Sequence, residues 1–320
     1  MKVCVKTPAR LHLGLIDLNG DLGRMFGGLG VGINKPNVVL EADSADKFSV
    51  TGREAELVGA LAQKFFSAYP VQPKVHLHVV EAIPPHVGLG SGTQLSLAVA
   101  TALSRVLNVQ VSIAELTLAM GRARRTSVGT TIFQQGGFVV DGGKNLENNS
   151  FPPLLYRQPF PDQWRFVVAV PNLKEGLSNS EENSAFQKLP KQSSKDAAEI
   201  CHLIMLKLLP ALAEKDIKSF GDALTKIQVL TGGFFAQAQG GNFSCPAAAE
   251  CVEFMKNAGA YGVGQSSWGP ALYAVVEQEQ AKPVLKKVKA YLDGSVGGEV
   301  FVAKANNHGS TIKVINEAKP

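Results

Sequence analysis

The sequence predicts an α+β fold of two domains, residues 1–150 and 151–320. Three observations carry that expectation. Strand-like alternation crowds the first third of the chain. Residues 142–162, rich in Asn, Pro and Gly and without periodicity, read as a linker. Beyond them strands and helices alternate in runs that suit antiparallel pairing. A chain of 320 residues exceeds one small domain and buries a large core without disulfides.

The elements follow in order. Residues 2–7, 10–16 and 37–43 carry strand patterns, the last with Val38, Val39 and Leu40. Residues 54–68 read as a helix, with Leu57, Leu61, Phe65 and Phe66 on one side. Lys74–Val80 alternates apolar and polar, as a half-buried strand does. A loop at 82–90 leads to a helix over 93–107. The helix at 112–123 opens on a capping box of Ser112 and Glu115. A strand returns at 137–141. After the linker come a strand at 165–170, long helices at 196–213 and 215–238, and another near 246–258. Strands at 261–265 and 271–276, a helix at 278–292 and strands at 298–303 and 310–315 complete the chain.

Composition excludes several classes. Hydrophobic residues make up 45 % and charged residues 18 %, which excludes a disordered chain. No stretch approaches the length of a membrane span. The N-terminal residues read as a strand and not as a signal peptide. A net charge of +5 suits small anionic substrates, without the dense basic stripe of a nucleic-acid binder. Cys4, Cys201, Cys245 and Cys251 form no Cys-x-x-Cys pair and have no His at zinc-finger spacing, so reduced thiols in a cytoplasmic protein are expected.

Clustered glycines mark turns or close backbone approach, and four segments stand out. Gly88-Leu89-Gly90-Ser91-Gly92-Thr93-Gln94 lies between a strand and a helix. Its glycines bare backbone N–H groups, and the following helix turns its positive end to the loop. That pattern suits a phosphate cradle better than a Gly-rich helix entry with ordinary capping, and it is neither a Walker A loop nor a dinucleotide fingerprint. Arg122, Arg124 and Arg125, followed by Ser127, bind an anion or form a solvated helix end. Gln265, Ser266, Ser267 and Trp268 occupy a Gly-rich loop, which reads equally as a packed turn. Arg10, His12 and Gly14 share one strand face, with Asp17 at its end. Asp17 is a candidate Mg²⁺ ligand or proton acceptor, and also the opening residue of an ordinary hairpin turn. Asp21 and Asp141 read as turn residues, and a lone His such as His12 is more often structural.

Pro84-x-x-x-Gly88-Leu89-Gly90-Ser91 resembles the phosphate-wrapping motif of the GHMP kinase superfamily, with Gly92 where a second Ser is usual. That superfamily has a two-domain α+β fold. Its catalytic Asp would fall at Gly129, and no Asp or Glu lies between Gly121 and Gly136. An Asp-based kinase is therefore disfavoured. Taken together, the motifs resemble a narrower family, the β-ribofuranosylaminobenzene 5′-phosphate synthases. The likeness rests on Arg10-x-His12 with Leu15-Ile16-Asp17-Leu18-Asn19-Gly20, on the 88–94 loop and on Gly136-Gly137-Phe138-x-Val140-Asp141-Gly142-Gly143. It extends to Gly176-Leu177-Ser178 with Glu181-Glu182, and to Gly264 through Pro270.

This resemblance implies a decarboxylating transfer. Phosphoribosyl pyrophosphate would condense with 4-aminobenzoate or 4-hydroxybenzoate, releasing CO₂ and pyrophosphate, in tetrahydromethanopterin biosynthesis. Asp17, His12 and Arg10 are the catalytic candidates. Asp17 would stabilise an oxocarbenium-like ribose, directly or through Mg²⁺, and His12 would relay a proton or hold the exocyclic group. Arg24, Arg124 or Arg125 would orient the carboxylate. Gly88–Gln94, Ser127 and Gln265–Trp268 complete the expected binding set. Mg²⁺ without an organic cofactor, and a homodimer, are the further implications. A GHMP-type ATP-dependent kinase and a non-catalytic relative that kept the cleft are the rival readings.

Overall fold

The computed structural model describes residues 1–315 except 149, 175–185, 187, 188 and 190, and the side chain of Ala238. Two long strands, β1 (Lys2–Asp17) and β2 (Arg24–Ser44), pair antiparallel from Lys2↔Asp43 to Asp17↔Phe26. Strand β3 (Ser49–Gly52), helix α1 (Ala55–Ala68) and strand β4 (Val75–Glu81) follow. Strand β4 lies between β2 and β3. Helices α2 (Ser91–Val106), α3 (Ile113–Ala119) and α4 (Val128–Gln135) come next. The capping box of Ser112 and Glu115 forms as expected at α3.

One open reading is resolved here and two expectations are corrected. Of the two readings of its glycines, turns or close approach, the stretch 24–32 takes the second: it is continuous strand. Its alternate glycines admit α4: a Cβ on Gly30 would stand 2.4 Å from a Val128 methyl, and one on Gly28 2.9 Å. Helix α4 itself went unforeseen, because Gly and Thr weaken its propensity and only Val128, Ile132 and Phe133 mark its buried side. The expected helix over 112–123 ends at Ala119, and Gly121 and Ala123 take positive φ.

Beyond α4 the chain forms β5 (Phe138–Asp141), where a strand was expected, and then β6 (Lys144–Asn145) and β7 (Leu154–Gln158) inside the expected linker. Strand β7 pairs with β5, which pairs with β2. The second half comprises β8 (Trp164–Pro171), α5 (Ser194–Leu203), α6 (Leu209–Glu214), α7 (Ile217–Gln239), α8 (Pro246–Asn257), β9 (Gly262–Gln265), β10 (Leu272–Glu277), α9 (Gln278–Asp293), β11 (Gly298–Ala303) and β12 (Thr311–Ile315). Its antiparallel sheet runs β11-β8-β10-β9. The single helix expected over 196–213 is interrupted by a π-helical turn, Ile204–Leu208, just before Pro210. Proline has no N–H for the α-helical ladder, which accounts for the shift of register there.

Strand β12 crosses back to pair with β1, so the first sheet takes strands from both ends of the chain. A cut at residue 150 would therefore divide that sheet. The two halves also share a core. Phe220 of α7 packs edge-on to Phe138 of β5 at 6.1 Å and to Phe160 at 5.6 Å, and stands 5.2 Å from Trp164. All four side chains are buried. Truncating such an aromatic leaves a cavity between packed layers. Phe220→Ala is expected to cost about 3–5 kcal/mol in urea unfolding followed by circular dichroism. A loss below about 1 kcal/mol would show that the halves do not depend on this cluster.

Candidate active site

The glycine loop enters α2 through Gly88 and Gly90, at φ 88° and 79°. Gly88 is obligatory, because a Cβ there would stand 2.3 Å from the Ser266 carbonyl oxygen. Two distant segments hold the loop. The N–H of Arg10 donates to Leu89 O at 3.0 Å, and that of Ala271 to Val87 O at 3.0 Å. Ser266, fully buried, donates from Oγ to Gly88 O at 2.7 Å and accepts the His12 N–H at 2.9 Å. One hydroxyl thus ties β1, the glycine loop and the turn after β9.

The loop between α3 and α4 brings Arg122 against Gly92 in the first turn of α2, and Arg124 and Arg125 into the cavity that Thr93 of α2 also lines. Arg122 Nε donates to Ser96 Oγ at 3.0 Å. Lys64 of α1 joins them, donating from Nζ to Met120 O at 2.9 Å. Burial, then the charges of Arg122 and Arg124, hold Lys64 below its ordinary pKa, and burial with Arg124 does the same to Arg122. Behind this loop lies Asp141, completely buried. Its Oδ2 accepts the N–H groups of Ser127 at 2.7 Å and Val128 at 3.0 Å, and its Oδ1 that of Gly143 at 2.8 Å. Burial pushes its pKa up to about 6, opposed by these donors and by the Gly28 N–H. Asp141 is thus an anchor at the α4 N-terminus, where a turn residue was expected.

A third wall is aromatic. Trp268 packs against Phe235 at 4.8 Å and Phe186 at 5.7 Å. The Arg125 guanidinium lies 4.2 Å from the centre of the Phe186 ring. Glycine loop, arginine loop and aromatic wall enclose a cavity of about 220 Å³. Four arginines line it, Arg10, Arg122, Arg124 and Arg125, and no Asp or Glu does among the described residues. His12 lines it too, and burial followed by the charge of Arg10 lowers its pKa to about 3, so the imidazole is neutral.

The predicted residues separate into groups. Arg10, His12, Thr93, Arg124, Arg125, Gln265, Ser267 and Trp268 line the cavity. Gly88, Gly90 and Gly92 shape the backbone around it, with Ser91 opening α2, while Leu89 is buried in the core. Gln94 is buried and donates from Nε2 to Gly129 O at 2.9 Å. Ser266 clamps the loop. Three expectations about direct contact are corrected. Ser127 is buried with its N–H on Asp141. Arg24 donates to the carbonyls of Gly142 and Gly143, at 2.8 and 2.9 Å, and braces that turn. The Oδ1 of Asp17 accepts the N–H groups of Asn19 and Gly20 at 2.7 and 2.9 Å, and this carboxylate is not in the cavity lining. Asp17 is thus the turn residue, and no group of three His, Cys, Asp or Glu side chains poised for a metal occurs among the described residues. The Gly176–Ser178 and Glu181-Glu182 motifs lie outside the described residues.

Sequence reasoning missed the contribution of α7. Gln228 donates from Nε2 to Leu13 O at 2.8 Å and accepts the Gln265 N–H at 2.9 Å. Thr231 and Phe235 follow on the same side, at helical spacing. The polar Gln228 and Thr231 inside an otherwise apolar stripe were the available signal.

Comparison with known proteins fits this site. The family model for the GHMP kinase N-terminal domain matches residues 56–135, and that for the C-terminal domain matches residues 208–294. The β-ribofuranosylphenol 5′-phosphate synthase of Archaeoglobus fulgidus is 34 % identical over 328 residues, covering 97 % of this chain and 99 % of the relative. The enzyme of that name from Methanothermobacter thermautotrophicus is 33 % identical, covering 87 % of this chain and 90 % of the relative. This chain belongs to the β-ribofuranosylphenol 5′-phosphate synthase family. Membership makes it an enzyme, a transferase on a GHMP scaffold. The galactokinase of Lactococcus lactis shows the same fold, with a TM-score of 0.71 at 15 % identity over 97 % of this chain and 95 % of that one. At Gly129, where the kinase resemblance would put an Asp, a Cβ would lie 3.0 Å from Thr93 Cγ2.

Two outcomes follow for this site. Ser266→Ala strands the Gly88 carbonyl and the His12 N–H, and should lower stability by about 1–3 kcal/mol in urea. A change within about 0.3 kcal/mol would remove the clamp. For His12, the unfolded imidazole titrates near 6.5 and the folded one near 3. The unfolded chain therefore binds more protons between those values, so His12 favours folding above about 6.5 and loses that contribution as pH falls toward 3. Nitrogen-15 NMR of labelled histidine should show His12 neutral at about pH 5. A midpoint near 6.5 would refute the burial argument.

Proposed function

We propose that the chain joins the ribose C1 of phosphoribosyl pyrophosphate to the carboxyl-bearing ring carbon of 4-hydroxybenzoate. The C1–oxygen bond breaks and its electron pair leaves with pyrophosphate. The ring carbon supplies the pair for the new C–C bond. The ring–carboxylate bond then breaks, its pair restores aromaticity, and CO₂ departs. The product is a ribofuranosylphenol 5′-phosphate, the compound in the relatives' name. That name favours the hydroxy acid over 4-aminobenzoate.

The observation that carries this reading is one cavity with a four-arginine lining beside an aromatic wall. A phosphoribosyl pyrophosphate suits the first, and a benzoate ring the second. Arg125, on the Phe186 ring, is placed to orient the benzoate carboxylate. Neutral His12 is suited to accept the proton of the phenol, which pushes electron density toward the attacking carbon. A cavity without described carboxylates suits transfer of a phosphorylated sugar better than Asp-assisted phosphoryl transfer from ATP. Mg²⁺ would arrive as the counter-ion of the donor rather than on a protein ligand set. Free cysteines and phosphorylated substrates support a cytoplasmic place in tetrahydromethanopterin biosynthesis.

With carboxyl-labelled 4-hydroxybenzoate, purified protein should release CO₂ only when phosphoribosyl pyrophosphate is present. Trp268→Ala should raise KM for the acid about tenfold while leaving KM for the donor within about twofold. No release from either benzoate by folded protein would defeat the proposal. Equal KM shifts for both substrates would defeat the assigned role of Trp268.

A further inference from the structure

Where the kinase motif carries a second Ser, this chain has Gly92. The missing side chain leaves room for Arg122. A Cβ on Gly92 would lie 3.2 and 3.4 Å from the two terminal nitrogens of that guanidinium. Arg122 is therefore set against the first turn of α2, where the helix dipole already favours an anion. Two further cations converge from the other side. Lys64 Nζ and an Arg124 terminal nitrogen lie 2.6 and 3.5 Å from the point a Cβ would take on Gly121. Among the described residues the charges acting on Lys64 are those of Arg122 and Arg124, and no described carboxylate pairs with the three. Like charges held this closely repel, and a bound polyanion relieves the repulsion.

We propose that Lys64, Arg122 and Arg124 form a pyrophosphate subsite at the first turn of α2, which holds the leaving group of the phosphoribosyl donor. This rests on the ribosyl-transfer reading above. Three cations and about half a charge from the helix match the three to four negative charges of pyrophosphate better than the two of a phosphate monoester. As the C1–oxygen bond breaks, negative charge grows on the pyrophosphate, and guanidinium donors already in place stabilise it without reorganising. The same subsite then holds product pyrophosphate until release.

Isothermal titration of the full chain tests this, with inorganic pyrophosphate and ribose 5-phosphate as separate probes at one ionic strength. Wild type should bind pyrophosphate more tightly than ribose 5-phosphate. Arg122→Met should weaken pyrophosphate about 10–100-fold and Lys64→Met about tenfold, while ribose 5-phosphate changes less than about threefold. Gly92→Ser, which crowds the guanidinium, should weaken pyrophosphate alone. Arg122→Lys, which keeps the charge, should recover part of the affinity. These last two keep the test decisive if Arg122→Met does not fold. Pyrophosphate affinity within about twofold of wild type in the folded variants, or equal losses for both probes, overturns the subsite. Selective loss in a protein that releases no CO₂ from benzoates keeps the subsite and removes the transfer reaction. CO₂ release without selective loss does the reverse.

Discussion

Asp141 carries the backbone of separate segments on one buried carboxylate. It gathers the end of the arginine loop, the start of α4 and the 142–143 turn, and it meets the Gly28 N–H of β2 as well. This solves a problem of sign. A cavity lined by arginines cannot be held together by an acid placed inside it, because that acid would occupy the site of the anionic ligand. The anchor must act from behind, with its charge taken up by backbone donors. Asp141 meets both conditions: it is fully buried, and the donors recorded on it are backbone N–H groups. An unpaired buried carboxylate would cost several kcal/mol, and the helix N-terminus with its donors offsets that cost.

The glycine loop is held on a different principle. The Ser266 hydroxyl and two backbone bonds reach it from β1 and from the turn after β9, and the Arg10 guanidinium adds a longer bond to Gly88 O at 3.5 Å. Gln228 of α7 then ties the same two strands together one layer further out, through Leu13 O and the Gln265 N–H. Both anchors join parts of the chain far apart in sequence, which is why the cavity exists only when β1, α2, α7 and β9 are packed together. The aromatic contact of Phe220 with Phe138 fixes that packing at the base.

Much of this was legible in the sequence. Regular periodicity gave α1 and α9, which bury one face and expose the other, and apolar runs gave α2 and the inner strands of the second sheet, which are buried on nearly all sides. The glycine loop, Arg124, Arg125 and Trp268 were legible because their chemistry is unusual for a plain turn. Helix α4 was not, since its role is to lie against glycines of β2, and a tertiary contact leaves no local periodicity. The roles of Asp17 and Asp141 were misjudged for a related reason. A carboxylate beside a glycine pattern reads alike whether it caps a turn or anchors a buried helix end. Only burial separates them: Asp17 caps its hairpin at the surface edge of β1, and Asp141 has no exposed area at all.

The packing that positions the arginines also leaves little room at position 129. Helix α4 lies tight on both β2 and α2, and Gly129 faces Thr93 at the point of contact. Gln94 of α2 fastens to the Gly129 carbonyl and draws the two helices together there. A side chain at 129 would crowd Thr93, a residue of the cavity wall. The cavity beside the glycine loop is lined by four arginines. Such a site favours departure of a polyanion from a sugar carbon over activation of a hydroxyl toward phosphorus.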